Sequence, residues 1–261
     1  MYRADYHIHT HFSFDSEETL EAICERALAL GLDEVGVSDH FSVNPADKSF
    51  GLYPYEQAYD EFLAAREISP VPLKFGLEIG EGQYRREVLA DFLEAADYDY
   101  ILGAVHNLGD ITIRQFIRSH GIDAAYQAYF EELLKLARLG DCDILAHFDL
   151  IQRYAFDEQG IYRETGYGEI IDEILKTVAD RGMAIEVNSS ACLKNCRHFM
   201  PDAPILKRYR ELGGEYVTFG SDAHQAGRIG ESLDQAADML KSLGFSYITT
   251  YEKRQPVQKS L

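Results

Sequence analysis

The stretch Ala4-Asp5-Tyr6-His7-Ile8-His9 decides the fold. It is short and alternating, and it carries β-favouring side chains, so it reads as a strand. Residues 18–30 follow it with apolar side chains recurring at three and four, the mark of a helix with one buried face. The same pair of patterns then recurs down the chain. Strand-like runs occupy residues 34–40, 73–79, 98–106, 142–147, 183–189 and 216–224. Amphipathic runs occupy 55–67, 83–96, 124–139, 168–181, 203–212 and 232–243. Seven successive βα units argue for a mainly parallel α/β sheet, and so for a barrel one unit short of eight. The punctuation agrees. Asp15 or Ser16 is expected to cap the first helix and Gly31 to end it. Gly140, Gly182, Gly213 and Gly244 should close later helices, and Pro204 suits a first turn. No linker or low-complexity segment interrupts the 261 residues, so residues 1–261 are expected to form a single domain.

Composition narrows the function classes. There are 25 Lys and Arg against 44 Asp and Glu, a formal charge of −19, which repels a phosphate backbone and makes nucleic acid an unlikely main partner. Part of that excess suits a site holding several divalent cations. No apolar run approaches the length of a membrane span, and Met1 is followed by polar residues, so a soluble, unexported protein is expected. Cys24, Cys142, Cys192 and Cys196 have no disulfide-framework spacing and suit a reducing cytoplasm. Cys192, Cys196 and His198 lack the CxxC spacing of a zinc knuckle, and no second pair follows.

The histidines carry the chemistry. His7, His9, His40, His106, His147 and His224, six of the nine, fall at or just beyond the end of a strand-like run. In a barrel, that is the pole where active sites sit. His7-Ile8-His9 puts two imidazoles on one strand face, about 7 Å apart along the chain. Asp15 follows in the next loop, Ser38-Asp39-His40 ends the second strand, Gly76-Leu77-Glu78 the third, and Gly220-Ser221-Asp222-Ala223-His224 the seventh. Imidazole with carboxylate suits zinc, manganese or iron(II). A carboxylate on the third strand can bridge two ions, and a paired site can activate water and polarise a phosphoryl oxygen. Asp39 and Asp149 adjoin such histidines and are candidates to orient their rings. The segments 41–54, 107–120, 152–167 and 190–201 read as irregular active-face loops, with Tyr53, Arg114, Arg153, Tyr154, Arg163, Lys194 and Arg197 lining the mouth.

HxH followed by a loop Asp, SDH, GLE, a fourth-strand VH, a fifth-strand HFD and GSDAH together resemble the PHP superfamily, named for polymerase and histidinol phosphatase. The resemblance spans about residues 6–245. The length, the EVNSS after residue 185 and the HFDLIQRY from His147 look like its histidinol-phosphate phosphatase branch. The resemblance implies a distorted TIM-like (β/α)7 barrel with three divalent ions. By motif, His7, His9, Glu78 and Asp222 would hold one ion, Glu78, His106 and His147 a second, and Asp15, His40 and His224 a third. It implies hydrolysis of a small-molecule phosphate ester, foremost L-histidinol phosphate in histidine biosynthesis, with another small ester or a short nucleotide as the alternative.

Asp222, Arg153 and His224 are the residues expected to act on the phosphoryl group, with Asp222 a candidate to protonate the leaving alkoxide. Arg153 lies six residues past His147, where similar phosphatases carry a phosphate-binding Arg, and its planar fork meets two oxygens at once. Relatives often place an Arg or Gly after the sixth strand. Here Ser189, Ser190, Ala191 and Cys192 stand there, which makes Lys194 and Arg197 candidates for the second contact, and Arg228 a further one. A non-catalytic module should have lost a ligand, and none is lost. An amidohydrolase would bridge its metals with a fourth-strand Lys or carboxylate, where this chain has His106.

Overall fold

The computed structural model describes residues 1–94, 97–160, 168–192, 194 and 197–261. Seven parallel strands form one sheet in the order β1 (Ala4–Asp5), β2 (Glu34–Ser42), β3 (Leu73–Gly80), β4 (Tyr100–Ala104), β7 (Ile144–Leu145), β8 (Ala184–Asn188) and β9 (Val217–Gly220). Past Asp5 the chain stays extended. Tyr6 N–H donates to Phe219 and His9 N–H to Ala223, and Ile8 bridges Ala223 in parallel, which draws the first strand against the last. The result is the nearly closed, distorted TIM-like barrel that the seven units imply.

Helices clothe the outside. α1 (Leu20–Leu30) follows β1, α2 (Tyr55–Ile68) follows β2, and α3 (Arg86–Glu94) follows β3. A two-stranded hairpin, β5 (Asn107–Leu108) with β6 (Ile111–Thr112), then α4 (Ile113–His120) and α5 (Ile122–Leu139), separate β4 from β7. α6 (Leu150–Gln159) and α7 (Gly168–Asp180) follow β7, α8 (Ala203–Glu211) follows β8, and α9 (Leu233–Ser242) follows β9. Residues 107–120 and much of 152–167 are therefore not loops. α4 is held by a capping box in which Thr112 and Gln115 bond reciprocally, and α6 ends on the left-handed Gly160. Arg163 and Cys196 lie outside the described residues.

One cap also differs. The α1 N-cap is Thr19, whose side chain accepts from Ala22 N–H, and this frees Asp15 and Ser16 for the loop above the barrel. Ser16 Oγ donates to the carbonyl of His9 at 3.0 Å. Gly31 closes α1 in the left-handed conformation, and Pro204 sits in the first turn of α8, both as the sequence indicates.

The barrel interior is small and aromatic. Tyr6, Tyr100 and Tyr251 fill it with Leu102, Ile144 and alanines from four strands or strand extensions. A Cβ at Gly76 would collide with the Tyr100 ring, so the third strand carries glycine there. Tyr251 comes from an antiparallel hairpin, β10 (Tyr247–Glu252) with β11 (Gln255–Ser260), that closes the pole opposite the histidines. Its hydroxyl donates to the Asp143 carbonyl at 3.1 Å, and Arg254 pairs with Asp143 at 2.9 Å.

Candidate metal centre

At the C-terminal ends of the strands, backbone register brings the polar side chains together. The parallel pairing of β2 with β3 sets His40 beside Glu78. The extension of β1, wedged between β2 and β9, turns His7 and His9 into the same pocket with ring centroids 5.0 Å apart, while Ile8 joins the outer core. Asp222 follows β9 with φ of +53°, a left-handed conformation that an Asp tolerates at some cost. The next residue but one, His224, lies 3.3 Å from Asp15.

Glu78 stands at the centre and is 1% exposed, as deep as His7 and His9. Its Oε1 lies 2.8 Å from His147 Nε2 and 3.3 Å from His106 Nε2. Its Oε2 lies 3.4 Å from His7 Nε2, 3.8 Å from His9 Nε2 and 2.7 Å from His40 Nδ1. Asp222 Oδ1 is 3.4 Å from His9 Nε2 and 3.8 Å from His7 Nε2. Asp15 Oδ1 is 3.7 Å from His40 Nε2. All nine candidate ligands thus converge, and four groups of three have their ligand atoms within 4.8 Å of one another: His7, His9 and Asp222; His7, Glu78 and His147; His40, Glu78 and His106; His9, His40 and His224. His40 faces both ways, towards Glu78 through Nδ1 and towards Asp15 through Nε2.

The donor set fits divalent cations. Nε2 of His7, Nε2 of His9 and Oε2 of Glu78 are buried without a hydrogen bond, an arrangement costly unless something positive sits among them. Without metal, protons take that role. Burial works against a charged His7, yet Glu186, Glu78 and Asp222 raise it well above an ordinary imidazole. His106 is pushed up to about 10, because Glu78, Glu81 and Asp47 outweigh its burial. Burial likewise opposes an ionised Glu78, but His7, His106 and His40 hold it well below the usual carboxylate range. Asp222 is held low in the same way by His7, His9 and His224. His9 goes the other way: burial, then His40 and His224, depress it.

Carboxylates behind the ligands fix their orientation. Glu186 on β8 pairs through Oε1 with His7 Nδ1 at 2.6 Å and accepts the His147 N–H through Oε2 at 2.6 Å. A side chain at Gly220 would occupy the space of that carboxylate, which explains the glycine of the GSDAH run. Glu81, with φ of +54°, accepts the N–H groups of His106 and Asn107. Asp5 accepts from Ser221 and Gly230 N–H and so ties β1 to the loop carrying Asp222. Sequence reasoning missed all three. Asp39 touches no imidazole directly; it accepts from Ser13 Oγ at 2.8 Å, and Ser13 in turn lies 3.1 Å from His9 Nδ1. Asp149 is buried at the start of α6 with Oδ1 unbonded.

Above the cluster opens a cavity of about 590 Å³. Arg153 reaches it from α6, donating to Ser190 Oγ at 3.0 Å and lying 3.7 Å from Asp222 Oδ2. Lys194 and Arg228 also line it, the latter paired with Glu231. Arg197 does not line it. It is exposed, in a turn in which its N–H bonds to the Lys194 carbonyl.

Residues 5–190 match the family model of the PHP domain. The chain belongs to the PHP domain family. Among PHP relatives, it is 31% identical over 255 residues to a probable histidinol-phosphatase of Clostridium acetobutylicum, covering 96% of this chain and 97% of that one. It is 29% identical over 258 residues to the histidinol-phosphatase of Lactococcus lactis, with 96% and 95% covered. The crystal structure of a histidinol phosphate phosphatase from Lactococcus lactis, complexed with zinc, L-histidinol and phosphate, superposes with a TM-score of 0.83 at 26% identity, covering 98% of both chains.

Proposed function

We propose that this chain hydrolyses L-histidinol phosphate to L-histidinol and inorganic phosphate, acting as a phosphoric monoester hydrolase with three divalent ions. The observation that carries the reading is the gathering of eight candidate ligand side chains in overlapping groups around Glu78, with Asp15 beside His40 and His224, beneath a cavity that Arg153 enters. His7, His9, Glu78 and Asp222 would hold one ion, Glu78, His106 and His147 a second, and Asp15, His40 and His224 a third, with zinc, manganese or iron(II) all suited to the donors. Such ions, when bound, supply Lewis-acid activation of water and of the phosphoryl oxygens.

The chain's own groups supply the rest. Arg153 faces the charge that builds on the non-bridging oxygens, seconded by Lys194. An ionised Asp222 suits taking the proton of the attacking water at Oδ2, the oxygen turned towards Arg153, and returning it to the alkoxide as the ester bond breaks. His224, beside both Asp15 and Asp222, keeps that carboxylate low. The role fits a small-molecule enzyme of histidine biosynthesis in the cytoplasm, and the −19 charge argues against a nucleic acid as main partner. Residues 1–261 would work as one PHP unit, its C-terminal hairpin included.

Purified protein supplied with zinc or manganese should release phosphate from histidinol phosphate far faster than from unrelated monoesters. The His9→Ala variant should lose that activity. Comparable slow rates on every ester, short nucleotides included, would overturn the substrate assignment.

A further inference from the structure

We propose that Asp47 sets the specificity of this site by receiving, on its carboxylate, the protonated amine of a 2-amino-alcohol phosphate. The inference rests on the phosphomonoesterase reading above. Four carboxylates line the cavity among the described residues. Glu78 and Asp222 belong to the ligand groups, and Asp15 lies 3.3 Å from His224 and 3.7 Å from His40, whereas Asp47 belongs to no such group among the described residues.

Of the cations on the cavity wall, Lys48 stands over the Phe14 ring, 5.7 Å from its centroid, and three guanidinium groups have carboxylate neighbours. Arg114 pairs with Asp157 at 2.7 Å and Arg228 with Glu231 at 2.5 Å, while Arg153 lies beside Asp222. Among the described residues Asp47 has neutral hydrogen-bond donors: its Oδ1 accepts from Ser49 N–H at 2.8 Å and Ser49 Oγ at 2.6 Å, and its Oδ2 from Asn107 Nδ2 at 2.5 Å. A carboxylate has about four acceptor sites, so these three donors leave room for one more.

Place follows from sequence. Asn107, which holds Asp47, directly follows His106, so the lone carboxylate stands beside the ligand cluster. Arg153 and Lys194 give the same cavity a cationic wall. A cavity with a cationic wall and one cation-seeking carboxylate is matched to a zwitterion: phosphate at one end, an ammonium on the neighbouring carbon. A charge-assisted hydrogen bond of this kind discriminates by about 10- to 100-fold.

The test compares L-histidinol phosphate with 3-(imidazol-4-yl)propyl phosphate, the same ester without its amine, on the metal-loaded enzyme. The wild-type kcat/KM ratio should favour the amine by about 10- to 100-fold. In Asp47→Asn that ratio should fall close to one, and Asp47→Glu, which keeps the charge, should restore much of it. A wild-type ratio near one would overturn the proposal. So would an Asp47→Asn protein in which both substrates suffer equally, since that marks a structural role in the loop. If Asp47→Asn does not fold, the wild-type ratio and Asp47→Glu still decide. Failure of the wild-type enzyme to hydrolyse either ester would instead strike the phosphomonoesterase reading itself.

Discussion

Glu186 touches two separate parts of the ligand cluster, the ring of His7 and the backbone of His147. Partners of this kind fix the tautomer and direction of a ligating imidazole, and their loss usually weakens metal binding by about 10- to 100-fold. Glu186→Gln keeps the shape and one acceptor but loses the charge. It should bind zinc weaker by that margin in a chelator competition, with secondary structure unchanged by circular dichroism. Unchanged zinc affinity would refute the role. The candidate ligands that the structure gathers were legible in the sequence because a histidine ending a strand stands out against apolar neighbours. Glu186 was not, since its partner lies 179 residues away and a strand glutamate has no period to betray it. Asp47 was hidden for another reason: its position depends on a loop built from side-chain bonds to Ser49 and Asn107, which no hydrophobic pattern encodes.

At the scale of elements, the seven βα units could be read because their periodicities switch cleanly. α4 escaped although its Thr112 and Gln115 carried a capping signal, because it spans only eight residues. α6 escaped because it spans only ten residues and buries only Leu150, Ile151, Gln152 and Ala155, too few to set up a readable helical period. The terminal hairpin escaped because its turn is Lys253-Arg254, both at positive φ, rather than the Asn-Gly or Asp-Gly pair that advertises such a turn. Yet this hairpin is built into the core. Tyr251 is 2% exposed and packs on Tyr6 with ring centroids 6.4 Å apart. Tyr251→Ala should cost about 3–5 kcal/mol, the range for deleting a large buried aromatic. Urea unfolding of the metal-loaded protein would measure it, and a loss under about 1 kcal/mol, the scale of a surface change, would show the hairpin to be peripheral.

For the molecule as a whole, the cluster couples protons to metal. In the metal-free state His7, His106 and His224 have raised pKa values, so their contribution to stability is complete below the unfolded value of 6.5. It is lost as pH rises, for His106 through about 10. Glu78 and Asp222 are depressed, so their contribution is present above ordinary carboxylate values and is lost as acid reaches them. The metal-free protein should therefore be most stable between those limits and soften towards pH 10. Metal must displace the imidazole protons, so zinc binding at pH 7 should release protons and tighten as pH rises. Calorimetry in buffers of different ionisation enthalpy reads that release directly, and equal heats in all buffers would contradict it.

The tyrosines that fill the barrel have a kinetic consequence. With the far pole stoppered by Tyr6, Tyr100 and Tyr251, the described residues leave the cavity above the ligand cluster as the way in, so whatever enters there must also depart that way. In the proposed reaction the phosphate would lie deepest, against the ions; the amino alcohol, nearer the threshold, would leave first, and inorganic phosphate would then linger as an inhibitor that competes with the next ester.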